Sequence, residues 1–124
     1  MSTLADLLNF VVSTLQSSPV CRTVQVLETM QFSDRQFTFK VRADLVSGAV
    51  LQVRLYRNAQ HTDYAYQLFH DESHVLRWDN KEHFPSIPSY PHHFHSTLNK
   101  IESSPLNGEL AHDLPIVLKY VESI

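Results

Sequence analysis

The chain has 124 residues, 43% of them hydrophobic and 19% charged, with only two glycines; this suits one packed core and excludes a linker-rich or low-complexity chain. A formal charge of −3 with neutral histidines excludes a broadly basic nucleic-acid coat, so phosphate binding needs a local group of cations. Cys21 is the single cysteine, which excludes an intramolecular disulfide framework and a thiolate zinc ribbon and suits a small buried hydrophobe.

Residues 3–16 carry Leu4, Leu7, Leu8, Val11, Val12 and Leu15 at three- and four-residue steps, the stripe of an amphipathic helix that Ser2 or Thr3 can cap. Ser17-Ser18-Pro19 stops it, because the residue before a proline avoids helical conformation. A strand is expected from Thr23 to Met30. Between Arg35 and Leu45 the alternation of Phe37, Phe39, Val41, Ala43 and Leu45 with Thr38, Lys40, Arg42 and Asp44 makes the clearest strand, apolar on one face and charged on the other. The chain turns at Ser47-Gly48, and Leu51, Val53 and Leu55 alternate with Gln52, Arg54 and Tyr56 on the returning arm. Tyr64 to Phe69 and His74 to Asp79 make a second hairpin around Asp71-Glu72-Ser73. Pro85, Pro88 and Pro91 make residues 84–91 extended and irregular. Asp113 can cap a last helix with Pro115 in its first turn and Leu114, Val117, Leu118 and Val121 as its stripe. The sum is an α+β single domain over residues 1–124, an antiparallel meander of about five strands with the N- and C-terminal helices packed on one face and the other face open. No basic segment followed by an apolar core opens the chain and no apolar run reaches membrane-spanning length, so a cytoplasmic protein without membrane contact is expected.

Alternation puts Lys40 and Arg42 of one strand and Arg54 of the next on the open face, where neighbouring cations can hold a phosphate backbone. Tyr64 and Tyr66 share one face of the following strand and Arg77 and Asp79 one face of the last; whether the tyrosines face Arg54 depends on a register that alternation leaves open. His83, His92, His93 and His95 then follow within thirteen residues. His93 and His95 point to one side if the chain is locally extended, and His92 to the other. This arrangement suits either a chelating pair, with Asp79 or His83 as third ligand for zinc or nickel, or a general acid and base. The spacing matches no strong metal motif, so a site without metal or other cofactor is the expectation. In metal-independent RNA cleavage a base takes the 2′-hydroxyl proton, an acid protonates the leaving 5′-oxygen, and cations stabilise the phosphate. His83, His92, His93 and His95 are the candidates for proton transfer, Arg77 and Asp79 for the reaction centre, Tyr66 for positioning, and Lys40, Arg42, Arg54 and Tyr64 for RNA contact.

The segment DYAYQLFHDESHVLRWDNKEHFPSIPSYPHHFH, residues 63–95, resembles the TumE family of small bacterial toxin components. The residues that carry the resemblance are Tyr64 and Tyr66, then Arg77, Trp78, Asp79 and Asn80 at a strand end, then Pro91, His92, His93 and His95. Where the family often has two histidines after the Asp-Asn pair, this chain keeps His83 alone. The resemblance implies a toxin neutralised by a neighbouring DNA-binding antitoxin, with RNA or translation as target. Two other readings use the same residues: transfer of a nucleotide or other group to RNA or protein, and a non-enzymatic binding module whose sheet edge invites a partner chain or homodimerisation.

Overall fold

The computed structural model describes residues 2–71, 74–96 and 100–124. Its elements run α1 (Leu4–Gln16), β1 (Cys21–Ser33), β2 (Gln36–Leu45), β3 (Val50–Arg57), β4 (Thr62–Asp71), β5 (His74–Asp79), β6 (His93–His95), β7 (Ile101–Ser103) and α2 (Leu110–Ser123). All seven strands form one antiparallel sheet in the order of the chain. The α+β meander expected from the sequence is present with seven strands in place of five. The two additional strands are three residues long each, too short to show a period of two.

Thr3 is the cap of α1: its hydroxyl accepts the Asp6 amide at 3.1 Å, and the Asp6 carboxylate accepts the Thr3 amide at 3.1 Å. Thr3→Ala is expected to cost about 1 kcal/mol in urea denaturation, since it leaves one first-turn amide to water alone. Val11 and Leu15 of α1, Leu114 and Val117 of α2, and Phe37, Phe39, Val41 and Ala43 of β2 are sealed in a common core. Tyr120 of α2 meets the ring of Trp78 edge-on at 5.3 Å and that of Phe94 at 5.5 Å, which spreads this helix over β5 and β6. Both helices therefore cover the same side of the sheet. Cys21 is half-buried against this core, and burial pushes its thiol up in pKa. Among the described residues, no helix is long and apolar enough to cross a membrane.

The turn expected at Ser47-Gly48 is present, and other local expectations change. The β2–β3 turn has Gly48 at φ +92°, a conformation in which glycine has no Cβ to strain, while Leu45 donates its amide to the Ala49 carbonyl at 2.9 Å. In the β4–β5 hairpin Asp71 pairs with His74, and Glu72 and Ser73 of the expected turn lie outside the described residues. The proline segment is a succession of tight turns, not an extended run. Ile87 donates to the Phe84 carbonyl at 3.1 Å, Tyr90 to Ile87 at 2.9 Å and His92 to Ser89 at 2.9 Å. Pro85 and Pro88 each occupy the second position of such a turn, where their fixed φ is favourable; Pro91 follows a cis peptide bond. Lastly, α2 begins three residues before Asp113. Its cap, Glu109, makes no side-chain cap bond, and Pro115 lies inside the helix.

Candidate functional site

Register now fixes what alternation left open. Core-facing Val53 and Leu55 pair with Tyr66 and Tyr64, so both tyrosines lie beneath the sheet on the helix side, with Tyr66 1% exposed. Arg54 pairs instead with Ala65, and Ala65 with Asp79. Neither tyrosine can share the open face with Arg54. Continuing across the strands, one row of that face reads Lys40, Arg54, Ala65, Asp79, His93 and the next reads Arg42, Gln52, Gln67, Arg77, His95. The short β6 is what brings His93 beside Asp79 and His95 beside Arg77. Two residues apart on a strand, they project to one side, and His92 to the other.

The side chains converge on the Asp79 carboxylate. Arg77 donates Nε to its Oδ2 at 2.6 Å, and the Lys81 amide donates to Oδ1 at 3.0 Å. His93 brings Nε2 to 3.0 Å from Oδ1, and His95 brings Nε2 to 3.6 Å from Oδ2. The two Nε2 atoms are themselves 3.0 Å apart. Behind His93, Nδ1 lies 3.1 Å from the Pro91 carbonyl, where a ring N–H donates to it, and Nε2 is thereby turned toward Asp79 and His95. Phe84 packs edge-on against both rings, at 4.8 Å from His93 and 5.9 Å from His95. Asp79 and His93 are buried and His95 is half-buried. Burial pushes the His95 imidazole down, more than the neighbouring Asp79 carboxylate raises it.

Asn80 explains why this strand end is so well placed. Its side-chain oxygen accepts the Tyr64 amide at 3.1 Å, and its side-chain nitrogen donates to the Thr62 carbonyl at 2.7 Å. The amide thus continues the β4–β5 pairing for one more residue after the strand ends, which fixes the direction of Asp79. Beside the cluster lies a groove of about 690 Å³ lined by residues that include Arg54, Tyr56, Arg77, Lys81 and His83, with exposed Phe32 at its edge. Ala65, with its small side chain, forms part of the floor between Arg54 and Asp79, two strand spacings or roughly 10 Å apart. Arg77 belongs to both features: it lines the groove and bonds Asp79.

The other expected residues are placed as follows. Lys40 is 3.8 Å from Glu28, and Arg42 donates to the Gln52 side chain at 3.4 Å, so both sit on the open face with local partners. His83 is exposed on the groove and meets the Phe84 ring at 6.2 Å, on a loop flank rather than in the cluster. His92 is separated from the other histidines by the sheet. Its Nδ1 is 2.8 Å from the Tyr64 hydroxyl, with the two rings stacked at 5.8 Å. Burial pushes the Tyr64 hydroxyl well up and the His92 imidazole down, so the tyrosine is the donor and a neutral ring nitrogen the acceptor. Phe84 and Asn80 shape this cluster although neither is among the expected catalytic or RNA-contact residues, Asn80 entering only through the family resemblance. An Asn after a strand-ending Asp is the sequence signal for the second; for Phe84 nothing but its place between His83 and Pro85 marks it.

Taken as chemistry, the cluster offers one fixed carboxylate, one guanidinium, two imidazoles whose Nε2 atoms converge, and an adjoining face of cations and aromatic rings. No curated protein and no solved structure matches the chain significantly. The profile of the family described as Toxin TumE matches residues 11–124, which contain every residue of the cluster and the groove. That match covers nearly the whole chain, and the chain belongs to the TumE toxin family.

Proposed function

We propose that this toxin is an endoribonuclease whose reaction centre is the cluster of Arg77, Asp79, His93 and His95. Family membership makes it a toxin component of a toxin–antitoxin system, with an antitoxin as its implied partner. The observation that carries the nuclease reading is the continuity of the open face, where the cations Arg54 and Arg77 lead directly to a carboxylate with two imidazoles. Tyr56 and exposed Phe32 on the same groove offer surfaces on which unpaired bases can stack. Single-stranded RNA fits such a groove better than a duplex, whose bases are not free to stack on protein rings. Cytoplasmic action follows from an RNA target, and the antitoxin of this reading carries a DNA-binding domain.

A metal-independent route needs two imidazoles free to move protons. His92 lies on the far side of the sheet, and His93 has both ring nitrogens engaged inside the protein. His95 and His83 remain, flanking Phe84 on the open side. In that route one takes the 2′-hydroxyl proton as O2′ attacks phosphorus, and the other supplies a proton to O5′ as the P–O5′ bond breaks. His95, however, turns Nε2 inward to Asp79, so this face presents one ready proton-transfer group and one committed ring.

Purified toxin incubated with single-stranded RNA is expected to cleave it, and Arg54→Gln is expected to weaken RNA binding and flatten its salt dependence, because a phosphate contact releases fewer counterions when its cation is gone. Intact RNA from a preparation that still arrests growth would overturn the nuclease reading, and a mass increase on a cellular target would then point to group transfer.

A further inference from the structure

We propose that Asp79, His93 and His95 form a binding site for one divalent transition-metal ion of the zinc class. Each supplies one ligand atom, a carboxylate oxygen or Nε2, and these atoms all lie within 4.8 Å of one another. Bonds of about 2.0–2.1 Å in tetrahedral arrangement separate ligand atoms by roughly 3.3 Å. The two imidazole Nε2 atoms are 3.0 Å apart, His93 Nε2 lies 3.0 Å from Asp79 Oδ1 and His95 Nε2 lies 3.6 Å from Oδ2, so a central ion draws the two rings toward one carboxylate oxygen or toward both.

The arrangement of polar atoms suits a cation at this point. With Nδ1 of His93 at 3.1 Å from the Pro91 carbonyl, its Nε2 faces a carboxylate oxygen and a second imidazole nitrogen, each at 3.0 Å. Three electron-rich atoms in contact repel one another unless a proton or a metal ion lies among them. Supporting bonds favour the metal. A histidine ligand commonly donates its other ring N–H to a backbone carbonyl, as His93 does, and ligating carboxylates are themselves hydrogen-bonded, as Asp79 is by Arg77 and the Lys81 amide. Phe84 fixes both rings edge-on. Two nitrogens and one oxygen suit zinc, cobalt, nickel, iron or manganese, whereas magnesium and calcium prefer oxygen donors alone.

Three protein ligands leave a position open, the pattern of a catalytic rather than a structural ion. That position would take a water or a phosphate oxygen, and Arg77 joins this centre to the RNA groove. The ion's role in cleavage rests on the nuclease reading; its binding does not.

Two measurements on the same protein separate them. Zinc and cobalt(II) are titrated into toxin freed of metal by chelator, with calorimetry giving stoichiometry and cobalt absorption reporting coordination. One ion per chain with four-coordinate cobalt bands is expected. His95→Gln, whose fold is checked by circular dichroism, is expected to weaken binding by at least the 10- to 100-fold, approximately, that loss of a supporting partner costs. His112→Gln, which removes a histidine from outside the cluster, is expected to bind as the parent does. Absence of binding, or equal binding by His95→Gln, would overturn the metal site. RNA cleavage is then read with and without zinc. Tight binding with intact RNA leaves the metal site standing and overturns the nuclease reading; cleavage by protein that binds no ion does the reverse.

Discussion

Asparagine in place of Asp79 is expected to lower RNA cleavage by at least about 100-fold and to abolish growth arrest, while the melting temperature stays within a few degrees of the parent. The reason lies in what the carboxylate holds. It accepts Arg77 Nε at 2.6 Å and the Lys81 amide at 3.0 Å, and it approaches Nε2 of His93 and of His95. An amide of the same shape keeps an oxygen for the Lys81 amide, and its nitrogen then takes the Oδ2 position, where it meets the Arg77 N–H instead of accepting it. It has no charge with which to orient Arg77 or to balance a cation between the histidines. Catalysis should therefore fail before folding does. Asp79→Ala is the comparison, because it leaves the Arg77 guanidinium and the buried His93 without their common partner and should lower both activity and stability. Cleavage and toxicity assays beside thermal denaturation check this, and full activity in Asp79→Asn would remove the cluster from the reaction.

The parts of this site that were legible in the sequence are those that depend on strand alternation alone. Phe37 through Leu45 displayed their two faces plainly, and a period of two was enough to put Arg77 with Asp79 and His93 with His95. Register is a different quantity, set by turn lengths and bulges, and a shift of one residue reverses a face. Alternation therefore leaves Tyr64 and Tyr66 free to face RNA, whereas pairing with Leu55 and Val53 puts them in the core. A strand as short as β6 has no statistical signature, so nothing in residues 93–95 announced that they would join Asp79 through the sheet. The prolines suggest an extended, irregular segment, but their three-residue spacing encodes consecutive turns that fold Phe84 back over the histidines. For the same reason the proposed metal site has no compact spacing motif: cross-strand pairing gathers its residues from positions 79, 93 and 95.

Removal of a second buried carboxylate should instead destroy the fold's margin: Asp113→Ala is expected to cost about 3–5 kcal/mol, a large share of the roughly 5–15 kcal/mol that holds a protein of this size together. Asp113 was expected as a helix cap, a role that typically carries about 1 kcal/mol. It stands inside α2 at 0% exposure, where Oδ1 accepts the Asn107 amide at 2.9 Å and Oδ2 the Gly108 amide at 2.8 Å. Those bonds fasten the segment between β7 and α2, in which Gly108 adopts φ +94°. His112 adds Nδ1 at 2.7 Å from Oδ1. Alanine leaves the two amides without this acceptor. Asparagine retains one acceptor oxygen but turns an amino group toward an N–H, so its cost should fall between. The partly exposed His112 is a weaker contributor, and His112→Gln should change stability by less than about 1 kcal/mol. Urea denaturation of the three variants, with the slope unchanged and the midpoint shifted, measures the order. A small loss in Asp113→Ala together with a large one in His112→Gln would mean that the histidine, not the carboxylate's hold on the loop, secures α2 to the sheet.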